Sequence, residues 1–457
     1  MQCARVASSF RDPSGFVVSQ GGVYKRIVTT IGRNDYRALM DSGLYEELVN
    51  GDFLLSHHEE KSIPVEFPNE SLVLCPEQLD YTSYPYEWCF SQLKDAALLT
   101  LHVQKRALGR GLSLKDASAF NVQFNKGKPV FIDTLSFEKD TGGPWVAYEQ
   151  FCRHFLAPLF LMATRSPGFN RYMRVDLDGF PLDFTSRMLS LSTYFQLGPL
   201  LHIHLHRRAQ QKGRRRLPGA RSRPGDNLKL NLTESLCRVV EKIRLPRRES
   251  EWSGYDDAAA HYPPEAAAFK RAFVASIAAR ERARLIYDCG GNTGTYARIA
   301  AANGGLCILF DSDPLCVERA YLAGKAMGDR RVLPLVMDLC NPTPPLGFNV
   351  SERLGLIERP RADLVMALAV IHHLRLRGGV PFGQMAPFFR KLGRVLLVEF
   401  VMPEDPLAHQ MMQSRSSLPE DYRLEEFLRA FSKDFWLCDN VVIPGTKRRL
   451  MLFEAIS

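Results

Sequence analysis

Glycine and acidic residues stand close together at one point in the second half of the chain, directly after a short apolar run. The segment reads Asp288-Cys-Gly-Gly-Asn-Thr-Gly294. Glycine has no Cβ, so Gly290, Gly291 and Gly294 allow a tight turn and let a ligand approach the backbone. The carboxylate of Asp288 can accept hydrogen bonds from a cationic amino group. The segment therefore indicates a binding site for a ligand that carries an ammonium group.

Two more acidic positions follow, each after another apolar run. Asp311 and Asp313 come directly after Leu306–Phe310, and Asp338 comes after Val332–Met337. A carboxylate about 20 residues beyond a glycine turn can accept from both hydroxyls of a ribose, and the third acid can accept from an adenine amino group. The candidate cofactor-binding residues are Asp288, Gly290, Gly291, Asn292, Gly294, Asp311, Asp313 and Asp338.

The elements that must position these residues alternate regularly between strands and helices. We predict strands at Leu285–Tyr287, Leu306–Phe310, Val332–Met337, Asp363–Ala369, Val395–Phe400, Trp436–Val442 and Arg449–Phe453, and helices at Thr295–Ala302, Pro314–Met327, Val380–Leu392 and Pro419–Ser432. Short apolar strands separated by helices favour a parallel sheet covered on both faces. The last two strands have no helix between them, which predicts one antiparallel strand. In such sheets ligands bind at the carboxyl ends of the strands.

Two alternative interpretations compete for the same residues. An aspartate after a strand is often only the N-cap of the next helix. A nicotinamide dinucleotide would also suit an alternating fold, but its motif is G-x-G-x-x-G, which places a pyrophosphate on a helix N-terminus. Here Asp288 stands where it would repel a pyrophosphate. Three acids in register after three strands favour the ammonium, ribose and adenine ligand.

These motifs resemble those of class I S-adenosylmethionine (SAM) methyltransferases. The resemblance covers about 200 residues and also includes Ala362-Asp-Leu-Val-Met-Ala-Leu-Ala-Val-Ile-His-His-Leu374. It implies a seven-stranded Rossmann-like domain with SAM as cofactor. It further implies that Asp288, Gly290, Asn292 and Gly294 hold the methionine part, Asp311 the ribose and Asp338 the adenine. Gly291 departs from the pattern, because relatives commonly have Ala or Cys there, and we expect the departure to be harmless.

The methyl acceptor would lie beyond the fourth strand, at Ala369-Val-Ile-His-His-Leu374. The Asn/Asp-Pro-Pro-Tyr/Phe motif of enzymes that methylate amide or base nitrogens is missing there, which favours a small-molecule or carbohydrate-like acceptor. His372 and His373 are the candidate catalytic residues, because an imidazole titrates in the range of a general base. Alternatively, one or both cap the next helix or pack beside the cofactor.

The N-terminal half contains Asp116, Asn121 and Asp133 at spacings that resemble the catalytic and metal loops of protein-kinase-like folds. In those folds the first Asp orients the attacking hydroxyl, and the other two hold Mg²⁺. The departures are large, because Asp133-Thr-Leu replaces Asp-Phe-Gly and no G-x-G-x-x-G loop precedes it. An α+β domain, either a degenerate kinase-like lobe or an unrelated fold, is expected here, without active phosphoryl transfer.

The complete chain, including Ser83-Tyr-Pro-Tyr-Glu-Trp-Cys-Phe-Ser-Gln-Leu-Lys-Asp95, also resembles a bacterial two-part methyltransferase family that includes the rhizobial host-specific nodulation protein NoeA. That resemblance implies a role in nodulation. We therefore expect SAM-dependent methyl transfer to a small-molecule or carbohydrate-like acceptor. The alternative is a SAM-binding regulatory or scaffold protein with a pseudokinase-like N-terminal domain and no methyl transfer.

Composition and length define the expected domain organisation. A chain of 457 residues predicts two domains: an N-terminal α+β domain over 1–206, a basic linker and helix over 207–248, and the methyltransferase domain over 249–457. The net charge of +9 is concentrated in 207–223, which is typical of a solvated linker, with RNA or an anionic surface as the alternative contact. We expect no nucleic-acid partner, no membrane span, no metal site and a cytoplasmic location, and the sequence leaves the oligomeric state open.

Overall fold

The computed structural model describes residues 3–60, 72–205, 227–246, 262–406, 408–409 and 421–456. It divides the chain into two compact units. The N-terminal unit comprises Met1–Arg247 with Leu346–Arg353, and the C-terminal unit comprises Arg248–Pro345 with Leu354–Ser457. The basic run 207–223 lies outside the described residues. Within the described part of the chain, no helix is both long and apolar enough to cross a membrane.

The N-terminal unit begins with a five-stranded antiparallel sheet in the order β1-β2-β3-β5-β4. Gly21 and Gly22 turn the β2–β3 hairpin with φ of 61° and 85°, as the glycine pair predicts. The strands are β1 Ala4–Arg5, β2 Gly15–Gln20, β3 Val23–Val28, β4 His57–Glu60 and β5 Leu72–Pro76, and the helices α1 Arg33–Asp41 and α2 Leu44–Asn50 lie between β3 and β4 in the chain.

The rest of the N-terminal unit is mainly helical and packs around one long buried helix, α3, Phe90–Gly109. Two antiparallel strand pairs follow it: β6 Leu112–Leu114 with β9 Phe137–Lys139, and β7 Val122–Asn125 with β8 Lys128–Phe131. The remaining helices are α4 Tyr148–Phe151, α5 Ala157–Thr164, α6 Leu182–Met188, α7 Leu197–Pro199 and α8 Asn227–Lys242, with π-helical turns at Cys152–Leu156 and Leu200–Leu205.

Histidine alternates with apolar residues at 202–206, a pattern that suits a strand, but the described part of this segment is not a strand. Leu200–Leu205 is π-helical, and His202 and His204 are buried. His202 Nδ1 lies 2.8 Å from the Tyr148 hydroxyl, and His204 lies between the hydroxyls of Ser186 and Thr193 at 2.8 and 2.9 Å. Hydroxyl groups therefore contact Nδ1 of His202 and both ring nitrogens of His204. His206 lies outside the described residues.

The C-terminal unit is an α/β fold, as predicted, built on a seven-stranded sheet in the order β12-β11-β10-β13-β14-β16-β15. The last strand, β16, runs antiparallel to both of its neighbours, and the other pairs are parallel. The strands are β10 Leu285–Cys289, β11 Leu306–Asp311, β12 Val332–Val336, β13 Ala362–Ala367, β14 Gly393–Val401, β15 Phe435–Val442 and β16 Arg448–Ala455.

The longer helices in the described part of the C-terminal unit are α9 Pro264–Arg280, α10 Thr295–Ala301, α11 Pro314–Met327, α12 Phe382–Leu392 and α13 Leu424–Phe431. One apolar core joins side chains of α9 and α10 to the central strands. The direction of strand addition reverses between β10 and β13, which are hydrogen-bonded neighbours. A crevice forms at such a reversal, outside the carboxyl ends of the strands. The glycine-rich segment follows β10 directly and therefore lies at this point of the sheet.

Candidate cofactor site at the carboxyl ends of the C-terminal strands

The loop after β10 needs its glycines because of its backbone geometry. Gly290 and Gly294 have φ of 75° and 87°, in the left-handed region that favours glycine. The amides of Gly290 and Gly291 both donate to the carbonyl of Phe310, at 2.8 and 3.1 Å, and fasten the loop to β11. Gly294 then leads directly into α10. The loop is therefore a tight turn that ends at the N-terminus of a helix.

Gly291 lies directly against the carboxylate of Asp288. A Cβ on Gly291 would come within 2.7 Å of Asp288 Oδ2 and 2.6 Å of Leu309 Cγ. A larger residue would therefore require the carboxylate or the leucine to shift. Gly291, which departs from the methyltransferase pattern, therefore allows the Asp288 carboxylate to lie where it does.

Asp288 is buried, with 1% of its surface exposed, at the end of β10. Burial raises the pKa of its carboxyl group to about 7, the charge of Asp311 adds to this, and Lys270 opposes it. Its Oδ2 atom has no hydrogen-bond partner among the described residues. A buried carboxylate oxygen without a donor is costly, so this atom is suited to receive a donor from a ligand.

Lys270 places a positive charge in the same region, and the sequence interpretation did not include it. Its ammonium is buried, lies 2.6 Å from Glu399 Oε2 and sits 4.2 Å from the centroid of the Tyr296 ring. The signal that could have found it is helical periodicity, because Ala266, Val274 and other apolar residues share its face of α9. A lysine on the apolar face of a helix requires a buried anionic partner.

Glu399 is that anionic partner, and it belongs to a buried network of charges. It accepts hydrogen bonds from the Tyr262 hydroxyl and from Arg448, which in turn pairs with Asp405 at 2.8 Å. Burial alone would raise the pKa of Glu399, but the charges of Lys270 and Arg448 outweigh burial and lower it. Oε1 accepts these hydrogen bonds and Oε2 forms the ion pair with Lys270, so Glu399 is a structural anion.

Asp311 connects the glycine loop to the next strand end. Its Oδ2 accepts from the amide of Asn292 and its Oδ1 from the amide of Asp313, both at 2.9 Å. Burial raises the pKa of its carboxyl group to about 6, and the backbone donors reduce that rise. Each oxygen keeps a further lone pair for a ligand hydroxyl. Asn292 itself has a φ of 48° within the turn.

Asp313 and Asp338 both have local roles. Asp313 caps α11, because its Oδ1 accepts from the amide of Leu315 at 2.8 Å. Asp338 Oδ1 accepts from the amide of Cys340 at 2.9 Å and closes the turn after β12. Met337, just before it, donates to the carbonyl of Asp311 at 2.7 Å. The three strand ends are therefore adjacent, and the Asp338 carboxylate is half-buried beside them.

His372 and His373 follow β13 with their rings 4.1 Å apart. Burial lowers the pKa of His373 to about 4 and that of His372 well below its usual value, so both imidazoles are neutral at pH 7. His372 is buried and its Nδ1 has no hydrogen-bond partner among the described residues, while His373 is half-buried. Ala369 just before them has a φ of 55°, a strained conformation for a residue with a Cβ.

Aromatic residues that precede β10 in the sequence, Trp252, Tyr255 and Tyr262, could cover a sulfonium by cation–π contact. Trp252 and Tyr255 lie outside the described residues. Tyr262 is buried, and its ring lies 5.0 Å from the ammonium of Lys270 and 4.7 Å from the guanidinium of Arg448. Two cations of the protein therefore already lie against this ring. Tyr262 is therefore part of the buried charge network.

The acidic residues singled out in the N-terminal unit do come together. Asp116 hydrogen-bonds Asn121, whose Nδ2 donates to Ser136 Oγ at 3.1 Å, and Ser136 donates to Asp133 Oδ2 at 2.9 Å. Asp133 also pairs with the guanidinium of Arg26 at 3.3 Å. In the described part of the chain no group of three or more His, Cys, Asp or Glu side chains is arranged to hold a metal ion.

The chain was compared with solved structures and with known protein families. Two solved methyltransferases show a distant likeness to this chain. Magnesium protoporphyrin IX methyltransferase (ChlM) of Synechocystis PCC 6803 is 15% identical, and the match covers 46% of this chain and 86% of that protein, with a TM-score of 0.30. The N-methyltransferase NodS of Bradyrhizobium japonicum WM9 is 11% identical and covers 40% and 94%, also with a TM-score of 0.30. These likenesses are too remote to support an argument about chemistry.

The sequence comparison is far closer. No family model matches the chain. The nodulation protein NoeA of Rhizobium meliloti (strain 1021) is 32% identical to it over an alignment of 466 positions. The alignment covers 98% of this chain and 96% of that protein. The similarity spans both units, so it is a relationship of whole proteins. The chain belongs to the family of the nodulation protein NoeA.

Proposed function

We propose that this protein is a SAM-dependent methyltransferase that binds its cofactor at the carboxyl ends of β10, β11 and β12. The observation that supports this most strongly is the pair of opposite charges buried beside the glycine loop. Asp288 offers a carboxylate oxygen without a donor, and Lys270 offers an ammonium held by Glu399. The amino-acid end of SAM carries an ammonium and a carboxylate, so its charges complement this pair.

The remaining parts of the site fit the rest of the cofactor. Asp311 is fixed by two backbone amides and keeps lone pairs for the ribose hydroxyls. The turn at Asp338 lies at the next strand end and would hold the adenine. A nicotinamide dinucleotide fits less well, because its pyrophosphate would face the buried carboxylate of Asp288. When bound, SAM supplies a methyl group made electrophilic by the adjacent sulfonium.

The protein must then align the acceptor and exclude water. The acceptor side lies after β13, where His372 and His373 are both neutral at pH 7. A neutral imidazole can accept a hydrogen bond from an acceptor hydroxyl, but the lowered pKa makes it a weak base. We assign His373 the contact with the acceptor, because it is the more exposed of the two, and His372 a packing role.

A small-molecule or carbohydrate-like acceptor remains our proposal for the substrate. The absence of an Asn/Asp-Pro-Pro-Tyr/Phe motif after β13 argues against a base amine. The name of the related nodulation protein is the support for a role in nodulation. Mass spectrometry of cells with and without the gene, searched for products heavier by one methylene, would identify the acceptor.

Calorimetric titration with SAM tests the cofactor directly. Replacing Asp288 by Asn removes the charge that would hold the ammonium, and hydrogen bonds to charged groups contribute about 1.5–3 kcal/mol, so we expect roughly 10- to 100-fold weaker binding. Glu425→Gln, which neutralises an exposed carboxylate of α13, is the matched control and should bind as the wild type does. Absence of SAM binding in the wild type would refute the proposal.

The alternative is a SAM-binding regulatory or scaffold protein that transfers no methyl group. Calorimetry does not separate it from the enzyme, because both bind SAM. The release of S-adenosylhomocysteine after incubation with SAM and an extract of the native cells does separate them. Release above the level of the Asp288→Asn variant supports methyl transfer. Tight SAM binding without release supports the alternative.

A further inference from the structure

One half-buried arginine of the N-terminal unit has no carboxylate partner in the described part of the chain. Arg353 ends the segment Leu346–Arg353, which belongs to this unit. Its guanidinium lies 4.2 Å from the centroid of the Phe120 ring, and burial lowers its pKa. Nη1 donates to the carbonyl of Glu352 at 2.9 Å, but Nε is buried and has no acceptor among the described residues. A cation that is withdrawn from water without a counter-charge is costly.

Arg26 in the same unit shows how a carboxylate of the protein can offset this cost. Its Nε is also buried without an acceptor among the described residues, yet its Nη2 lies 2.7 Å from Asp12 Oδ2. Arg353 has no such contact, because the adjacent carboxylate of Glu352 is bound by Arg11. Nη2 and Nε of Arg11 donate to the two oxygens of Glu352 at 2.8 and 3.1 Å. Arg353 therefore lies against no acidic side chain of the described residues.

Backbone contacts fix the position of Arg353. Leu346 and Arg353 form an antiparallel bridge, in which the amide of each residue donates to the carbonyl of the other, at 3.0 and 3.1 Å. Glu352 Oε1 also accepts from the amide of Phe348 at 2.8 Å, which ties the loop between the bridged residues to its base. These bonds and the contact with Phe120 hold Arg353 in place, and a preorganised donor loses less entropy when it binds a ligand.

Aromatic rings surround Phe120, on which the guanidinium lies. The centroid of the Phe120 ring is 6.3 Å from that of Tyr84 and 6.3 Å from that of Tyr86, and it is 6.0 Å from the ring of His154. Burial lowers the pKa of His154 to about 3, so this imidazole is neutral at pH 7. The rings and the neutral imidazole therefore provide no negative charge for Arg353.

We propose that Arg353 binds an oxyanion group, a phosphate or a carboxylate, of a small ligand. The planar fork of a guanidinium matches the oxygens of both groups. The ring of Phe120 covers one face of the guanidinium by cation–π contact and leaves its N–H donors for a ligand. Water could accept from the same donors, but it would leave the charge uncompensated. The residues that carry this site belong to the N-terminal unit, so the proposal does not depend on SAM binding.

Chemical denaturation of the full-length protein in sodium phosphate, sodium acetate and sodium chloride of equal ionic strength tests the proposal. An anion that binds only the folded protein raises its unfolding midpoint. Phosphate also stabilises folded proteins because it is excluded from their surfaces. Exclusion acts on all variants alike, so the measured quantity is the difference between the wild type and Arg353→Met. We expect phosphate, acetate or both to bind Arg353→Met about tenfold or more weakly than the wild type.

Two further variants separate the charge from the shape of the guanidinium. Arg37→Met neutralises an exposed arginine of α1 and should respond to the anions as the wild type does. Arg353→Lys keeps the charge without the fork of donors, so its response should lie between those of the wild type and Arg353→Met. In chloride, Arg353→Met should be at least as stable as Arg37→Met, because the charge that it removes has no counter-ion among the described residues.

Two results would overturn the proposal. The first is that phosphate and acetate each raise the midpoints of the wild type and Arg353→Met equally, which would mean that no anion binds at Arg353. The second is that Arg353→Met unfolds in chloride at a clearly lower midpoint than Arg37→Met. Contacts within the protein, and no ligand, would then account for the position of the guanidinium. If only one anion separates the wild type from Arg353→Met, that anion identifies the oxyanion group of the ligand.

Discussion

The two units each bring aspartates together near the ends of strands, but they neutralise these aspartates in different ways. In the C-terminal unit, Asp288 is buried with one oxygen that has no donor among the described residues. In the N-terminal unit, the guanidinium of Arg26 lies against Asp133, and Asp116 is hydrogen-bonded to Asn121. In the first cluster, Asp288 Oδ2 lacks a hydrogen-bond donor, and a cationic ligand could supply one. The second cluster already contains its cation.

This difference explains why similar sequence signals lead to different expectations. A cation that binds Asp288 Oδ2 displaces no hydrogen-bond donor among the described residues. A metal ion at Asp133 would have to displace Arg26, which also pairs with Asp12 at 2.7 Å. Spacing alone made Asp116, Asn121 and Asp133 resemble the loops of a kinase-like fold, and that fold remains a prediction for the N-terminal unit. The contacts argue against metal-assisted chemistry at that cluster.

The largest effect is expected from removing the fixed cation of the C-terminal site. Lys270→Met leaves the buried carboxylate of Glu399 with fewer partners, and breaking a buried ion pair costs about 3–5 kcal/mol. The double variant Lys270→Met/Glu399→Gln removes both charges and should recover much of that loss. Chemical denaturation measures both effects.

SAM titration of the same variants tests the role of the charge pair. If Lys270 holds the carboxylate end of the cofactor, the double variant will recover stability but will still bind SAM more weakly than the wild type. Equal affinity of the wild type and the double variant would show that Asp288 alone, and no pair of charges, forms the site.

The second prediction concerns pH. The pKa of Asp288 is raised by burial to about 7, so the folded protein holds a proton that the unfolded chain has lost, and stability falls as pH rises from about 4 to about 7. The shift corresponds to on the order of 4 kcal/mol. A cationic ligand favours the ionised form, so SAM affinity should rise over the upper part of this range.

Unfolding midpoints at several pH values, with and without SAM, measure this linkage. Asp288→Asn should flatten both profiles, whereas Glu425→Gln should not change them. An unchanged slope in Asp288→Asn would show that another group carries the pH dependence, with Asp311 as the first candidate because burial raises its pKa to about 6.

In the candidate site, the positions that follow from strand order could be predicted from the sequence, whereas those that depend on packing could not. Asp288, Asp311 and Asp338 could be found because parallel strands end at one edge of the sheet. Lys270 could not be found that way, since it lies on a helix before the first strand and its partner Glu399 is more than a hundred residues away. The helical turn at His202 and His204 is hidden in the sequence for a similar reason, because a period of two also suits a strand and their hydroxyl partners lie 54 and 18 residues away.

The third prediction concerns the closeness of Gly291 to Asp288. Gly291→Ala adds a Cβ that would lie 2.7 Å from Oδ2, and extra volume in a packed site costs about 1–3 kcal/mol. SAM binding should weaken because the carboxylate must move. Gly324→Ala on α11 is the control, since a Cβ there meets nothing within 4 Å. If Gly291→Ala binds SAM as well as Gly324→Ala does, the loop is more adaptable than its contacts indicate.

The smallest effect is expected in the N-terminal unit, where the fourth prediction tests whether Arg26 already neutralises Asp133. Asp133→Asn removes a partly exposed ion pair with Arg26; its amide oxygen can still accept from the Leu135 amide, and its amide nitrogen can donate to Ser136 Oγ. Such pairs contribute about 1 kcal/mol or less, so stability should fall slightly and SAM affinity should stay the same. Calorimetry with millimolar ATP and Mg²⁺ should show no binding in either protein, because Arg26 already neutralises the carboxylate. The opposite result would be Mg²⁺-dependent ATP binding by the wild type that Asp133→Asn abolishes. A metal ion would then displace Arg26 from Asp133, and both clusters of aspartates would bind a cation from solution.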